Sequence, residues 1–231
     1  MREIVFDTET TGLDPKTGDR MVEIGCVEMI GRVATGETYH AYYNPQRDMP
    51  AAAEAVHGLS SSFLSGKPLF ADTVDELLDF LGDAPLVAHN AGFDFGFLNA
   101  ELERIGRNII ALDRMVDTVA IARKRHPGAK LSLDALCSRY GVDRSHRVKH
   151  GALLDAELLA QVYVELTGGR QIGLELAAEE VAAASGEQAH TVTAATTSRP
   201  RREPRPHAPS PEELARHQEF MSKIENAVWA R

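Results

Sequence analysis

The sequence predicts an α/β fold: a mixed sheet, built from an antiparallel meander plus parallel strands, flanked by helices and followed by a linker and a short tail. Three observations predict it. Three strand-like runs lie close together at the start of the chain, and short connections favour antiparallel pairing. Strand-like and helix-like runs then alternate, which favours parallel strands with helices on the faces of the sheet. Composition changes sharply after Gly169.

Ile4–Asp7 is a short apolar run ending in acids and reads as a buried strand. Met21–Ile30 alternates as a second strand, and the Tyr-rich Thr38–Tyr43 reads as a third. Val74–Leu81 has helical spacing, and Pro85–His89 is another apolar strand ending in polar residues. Phe93–Ile105 places apolar residues at 93, 97, 98, 102 and 105, a helical period, with Phe93 and Phe97 expected in the core. Ile109–Leu112 reads as a strand. Val116–Arg125, Leu131–Tyr140 and Leu153–Thr167 read as helices, with Gly141 and Gly168-Gly169 at helix stops.

Residues 171–198 contain no Lys or Arg, and Arg199–Pro206 is a Pro/Arg stretch unsuited to helix or sheet ladders. Residues 171–210 are therefore expected to be a linker. Ser210-Pro211-Glu212-Glu213 then reads as a helix start, with an N-cap, Pro at the first position and acids in the first turn. A short segment with apolar residues beyond a linker has no core of its own and is expected to dock on a partner.

The chain has 231 residues, 43% hydrophobic and 26% charged, which excludes collagen, a disulfide scaffold and wholesale disorder. Cys26 and Cys137 belong to no C-x-x-C pair, so zinc and dithiol chemistry have little support. No secretory signal opens the chain and no apolar run reaches membrane-spanning length, so a cytoplasmic location without membrane attachment is expected. The net charge of −9 argues against tight, unaided binding of duplex nucleic acid.

Three motifs carry the chemistry. In Asp7-Thr8-Glu9-Thr10-Thr11-Gly12, residues two apart share a strand face, so Asp7 and Glu9 point the same way. Like charges this close resist ionising unless a cation sits between them. In His89–Leu98, an apolar strand delivers Asp94 into the first turn of the next helix, at the carboxyl end of a sheet where sites gather. In His150-Gly151-Ala152-Leu153-Leu154-Asp155, a five-residue step turns about 500° and cannot keep both side chains on one helix face. His150 is therefore expected in the preceding loop and Asp155 in the helix. Four carboxylates can hold two divalent ions for in-line phosphoryl displacement, and a loop His suits the role of general base toward a water nucleophile. Oxygen-only ligands favour Mg²⁺ or Mn²⁺.

These motifs, in this order, resemble those of the DEDD-type 3′–5′ exonucleases of the histidine subclass, on a ribonuclease H-like fold. Within that family the chain is most similar to the proofreading members that serve the replicative DNA polymerase III, over about residues 1–170, the expected exonuclease domain. Ser132–Cys137 and the stretch from His150 to Gly169 strengthen that similarity. The resemblance implies that Asp7 bridges both metals, that Glu9 and Asp155 bind the metal holding the nucleophilic water, that Asp94 serves the other metal, and that His150 is the base. It implies contacts of Asp7, Glu9, Thr10, His57 and Asp155 with a single-stranded or frayed DNA 3′ terminus. Where the family often has an acid beside the 3′ end, this chain has Ala51-Ala52-Ala53, so that contact is not carried over.

The tail adds two expectations. Gln171, Leu174 and Leu176 are similar to the pattern by which such subunits bind a sliding clamp, and residues 211–231, with Leu214, Phe220 and Trp229 as anchors, resemble the segment that docks on the polymerase (alpha) subunit. The rival reading is a stand-alone nuclease of the same family acting on RNA or short oligonucleotides, which would have little use for a linker and docking tail.

Overall fold

The computed structural model describes residues 1–145, 149–169 and 209–223. Five strands form one sheet in the order β3-β2-β1-β4-β5: β1 Arg2–Thr10, β2 Met21–Ile30, β3 Val33–Tyr42, β4 Leu86–Ala88 and β5 Met115–Asp117. Strands β1, β2 and β3 pair antiparallel, whereas β4 and β5 run parallel to β1. The expected mixed sheet is present. Eight α-helices occur among the described residues: α1 Ala51–His57, α2 Ser61–Ser65, α3 Phe70–Leu81, α4 Ala91–Arg104, α5 Thr118–Arg125, α6 Leu133–Tyr140, α7 Ala152–Leu166 and α8 Pro211–Ser222.

Strand alternation sends the two faces of β1 to different helices. Ile4 and Phe6 join Ile24, Cys26, Leu86 and Ala88 in a core closed by Leu77 and Leu81 of α3 and Phe95, Leu98 and Leu102 of α4. Val5, between them, faces the other way with Val27, Met29 and Val87, against Ala156, Leu159 and Tyr163 of α7. Each fully buried Phe, Ile or Leu contributes about 1.5–3 kcal/mol. A third cluster joins Ala122 of α5, Leu136 and Cys137 of α6, and Leu158 and Val162 of α7. Both cysteines are buried.

Several expectations shift. β1 and β3 begin or end beyond the predicted runs, and α1 and α2 were not legible as helices. The expected strand Ile109–Leu112 does not form; the strand is Met115–Asp117, of which the prediction gave Val116 and Asp117 to a helix. The reason is local: the Asn99 side chain accepts from Ile110 N at 2.8 Å and donates to Ile110 O at 3.1 Å, satisfying the groups a strand would offer. Phe97 is in the core, but Phe93 is only half-buried; Phe95 takes the core position instead.

The chain divides into two compact units, residues 1–178 and 179–231. In the second, α8 starts as predicted, with Ser210 Oγ accepting from Glu213 N and a Glu213 carboxylate oxygen accepting from Ser210 N at 2.8 Å. Leu214 and Phe220 are exposed. Gln171, Leu174, Leu176 and Trp229 lie outside the described residues. Among the described residues no helix is long and apolar enough to cross a membrane.

Candidate active site

The carboxyl ends of the parallel strands β1 and β4 open onto a cleft of about 280 Å³. Asp7, Glu9, Asp94, His150 and Asp155 all line it, as do Thr8, His89, Asn90, Phe93 and the start of α6 from Ser132 to Asp134. Asp94, Asp155 and Glu9 are buried, at 3%, 3% and 9% exposure. The five residues expected to carry the chemistry therefore come together from three separate stretches of sequence.

Pairing register explains how. Asp7 lies opposite Gly25 of β2, and Glu9 opposite Glu23. Cross-strand partners share a face, so Gly25 leaves bare sheet beside Asp7. The first turn of α7 fills that space: a Cβ on Gly25 would overlap the backbone of Ala152 and Leu153. This close approach carries Asp155, one turn into α7, onto the face of Asp7 and Glu9. His150 sits in the preceding loop, with Gly151 as the extended N-cap residue. Its Nδ1 lies 3.3 Å from Asp155 Oδ2.

Thr8 points to the opposite face, toward α4. Its backbone N–H and hydroxyl both donate to Asp94 Oδ1, at 3.1 and 2.7 Å. Asp94 is thus tied to the strand bearing the other two acids. Asn90 precedes α4 in the left-handed region at φ 64°, and its N–H donates to Asp117 Oδ1 at 3.1 Å, an oxygen that also accepts from Val119 N. A paired Arg20–Glu101 contact, at 2.7 and 2.8 Å, ties the loop after β1 to α4.

The donor set fits divalent cations. Burial pushes the Asp94 carboxyl up to about 7; the Thr8 hydrogen bonds oppose this and the Asp117 charge adds to it. A buried acid that resists ionising, beside further carboxylates, is relieved by a bound cation. Ligand atoms of Glu9, His150 and Asp155 lie within 4.8 Å of one another, close enough to share one ion. Among the described residues lining the cleft, none is Lys or Arg.

Two expected substrate residues stand apart. Thr10 and His57 are not in the cleft lining. The Thr10 hydroxyl donates to Gly12 O at 2.6 Å and shapes the turn after β1. His57 is buried; its Nδ1 accepts from Leu59 N at 3.0 Å, while Nε2 faces the Thr10 backbone without completing a hydrogen bond. Desolvation holds this imidazole below its ordinary pKa.

Sequence reasoning did not single out Thr8, Gly25, His89 or Asp117. Only Gly25 carried a readable signal, since an isolated Gly within a strand marks close backbone approach.

Known proteins resemble this chain in sequence and in fold. The family described as Exonuclease matches residues 4–163. A Rickettsia felis protein named DNA polymerase III subunit epsilon is 47% identical over 227 residues, covering 97% of each chain. The chain belongs to this exonuclease family, among the epsilon subunits. The Escherichia coli K12 epsilon subunit is 46% identical over 176 residues, 73% of this chain and 72% of its own. Among solved structures, Exonuclease X in complex with 5′ overhanging duplex DNA has a TM-score of 0.57 at 24% identity, over 71% of this chain and 90% of its own. The nuclease domain of 3′hExo, a DEDDh family member bound to rAMP, has a TM-score of 0.63 at 16% identity, over 72% and 91%. Both share the ribonuclease H-like fold. This epsilon-family chain is a 3′–5′ exonuclease, a phosphodiester hydrolase of a family that generally uses divalent metal ions.

Proposed function

We propose that this exonuclease proofreads for DNA polymerase III, removing mispaired nucleotides from frayed DNA 3′ ends in the cytoplasm. The observation that carries the reading is the convergence of Asp7, Glu9, Asp94, Asp155 and His150 on one cleft, in a chain similar along its length to epsilon subunits.

Asp7, Glu9, Asp94 and Asp155 would hold two divalent ions, Mg²⁺ or Mn²⁺. When bound, the ions supply Lewis-acid activation of water and stabilisation of the leaving oxygen. Asp7 shares its strand face with Glu9 and faces the start of α7, and would hold both ions. Glu9 and Asp155 would hold one ion, and Asp94, fixed from the other face by Thr8, would hold the second. His150 takes the proton from the attacking water. It is half-exposed at the cleft mouth, so solvent can then remove that proton. The Asp155 carboxylate beside Nδ1 orients the ring. Thr10 and His57 shape the edge that receives the terminal nucleotide.

The remaining assignments concern partners. Residues 1–170 would be the exonuclease domain and 171–210 a linker whose Gln171, Leu174 and Leu176 engage the sliding clamp. Residues 211–231, through Leu214, Phe220 and Trp229, would dock on the polymerase (alpha) subunit. Exposed Leu214 and Phe220 support this reading. Holding the nuclease near the primer end by a tether replaces intrinsic affinity with effective concentration. The test compares rates on single-stranded DNA, RNA and a primer with a mispaired 3′ end. Faster removal of the mispaired deoxynucleotide is expected; preference for RNA would overturn the reading.

A further inference from the structure

We propose that Asp117 and Thr118, at the corner where β5 turns into α5, are positioning residues for the nuclease reaction: they set the cleft residues His89 and Asn90 and, through Asn90, the helix that carries Asp94. This rests on the proposed metal site and names what holds its α4 side in place.

The topology puts the corner there. β4 and β5 run parallel with Ala88 opposite Asp117, so the two strands end together and their successors leave the sheet side by side. His89 and Asn90 follow β4 and line the cleft. Asp117 ends β5 and Thr118 opens α5, and neither is among the described residues that line the cleft.

Each corner residue holds one cleft residue. Asp117 Oδ1 accepts from Asn90 N at 3.1 Å and from Val119 N at 2.9 Å, so one oxygen both caps α5 and fixes the start of α4. Asn90 needs fixing. Its φ of 64° is left-handed, which is disfavoured for a residue with a Cβ, and its own side chain makes no cap hydrogen bond. Asp94 lies about one helical turn further on, so the direction in which α4 leaves Asn90 decides where that carboxylate stands. The Asp117 charge is felt by both His89 and Asp94 and favours the protonated form of each.

Thr118 is fully buried, and its hydroxyl lies 2.9 Å from His89 Nδ1 and 3.2 Å from Ala88 O. One hydroxyl thereby ties the last residue of β4 to the imidazole that follows it. His89 in turn hydrogen-bonds the backbone of Leu131, directly before the α6 residues Ser132, Leu133 and Asp134 that line the cleft. Capping α5 is the simpler role for Asp117, but it needs only the bond to Val119. The second bond, to a residue 27 positions away, serves α4 instead.

The test uses the full chain, with calorimetric Mn²⁺ affinity and KM for a single-stranded oligonucleotide as readouts. Ser caps a helix about as well as Asp, but its single, shorter oxygen does not serve Asn90 N and Val119 N together. Asp117→Ser should therefore keep α5 capped and weaken Mn²⁺ binding about tenfold, as when other residues that orient a ligand are lost. Asp117→Asn removes the charge, keeps the longer acceptor and should stay close to the parent. Thr118→Val keeps the shape and loses the hydroxyl. Its KM should rise about fivefold, the effect of one ordinary hydrogen bond, with Mn²⁺ affinity unchanged. Thr118→Ser should restore the KM. Parent Mn²⁺ affinity in Asp117→Ser, or an equal loss in Asp117→Asn, would overturn the role of Asp117. Parent KM in Thr118→Val, or no recovery in Thr118→Ser, would overturn that of Thr118. Asp94→Asn separates this proposal from the reading it rests on: Mn²⁺ affinity unchanged by that substitution would overturn the metal site itself.

Discussion

Gly25 of β2 and Leu153 of α7 compete for one place: the Cβ that Gly25 lacks would overlap the Leu153 backbone. Gly25 pairs with Asp7, so the missing side chain is what lets α7 bring Asp155 to the acids of β1. Gly25→Ala should push the first turn of α7 away from the sheet. Overpacking of this kind costs about 1–3 kcal/mol, measurable by urea unfolding. A shift of about 1 Å at the site should lower kcat about 100-fold. Wild-type stability and kcat in this variant would refute the packing argument.

Thr8 should act through Asp94. Both its donors reach Asp94 Oδ1, which fixes the carboxylate relative to the strand carrying Asp7 and Glu9. Thr8→Val keeps the shape and loses the hydroxyl donor. Calorimetric Mn²⁺ affinity should fall about 10-fold or more, as for other residues that orient a ligand. Thr8→Ser should restore it. Equal affinities in all three proteins would show that the hydroxyl is structural only.

Asp94 should also make metal-free stability depend on pH. Its folded pKa is raised, to about 7, above the ordinary carboxyl value. A raised acid binds its proton more tightly when folded, so its contribution is fully present below the unfolded pKa. It is lost as pH rises through the folded pKa. In chelator, stability should fall from about pH 4 to above pH 7, by a few kcal/mol on the scale of about 1.4 per unit. Added Mg²⁺ should reverse the loss, and Asp94→Asn should flatten the profile. A profile in chelator that is identical for parent and variant would rule this out.

Removing residues 211–231 should separate the two functions. Nuclease activity on a single-stranded oligonucleotide should persist, while co-elution with the polymerase subunit should disappear. Co-elution of the truncated chain would show that docking resides elsewhere.

Much of this site was legible because its chemistry is local. Asp7 and Glu9 share a face through the two-residue period of a strand, and Asp94 falls in a first helical turn because a strand and a tight turn precede it. The separation of His150 from Asp155 followed from helix geometry, and the structure places them on either side of Gly151. Long-range choices were less legible. Ile110 looked like a strand, but the Asn99 side chain takes its backbone groups. Phe93 looked like core, but it sits where α4 meets the cleft, leaving Phe95 to fill the interior beside Phe6. Thr8 carried no signal in the sequence; only the placement of α4 on the opposite sheet face gives its hydroxyl a partner.

The central claim is that the Asp7-centred carboxylates perform phosphodiester hydrolysis at a DNA 3′ end. Its most direct test is single-turnover release of a 5′-mononucleotide from a mispaired primer, with Mg²⁺, by the parent chain and by Asp7→Ala. The parent should release the mispaired nucleotide. The variant should fall at least about 1,000-fold, as when electrostatic stabilisation of a transition state is removed, while keeping its circular dichroism and urea midpoint. Release by Asp7→Ala at the parent's rate would contradict the account.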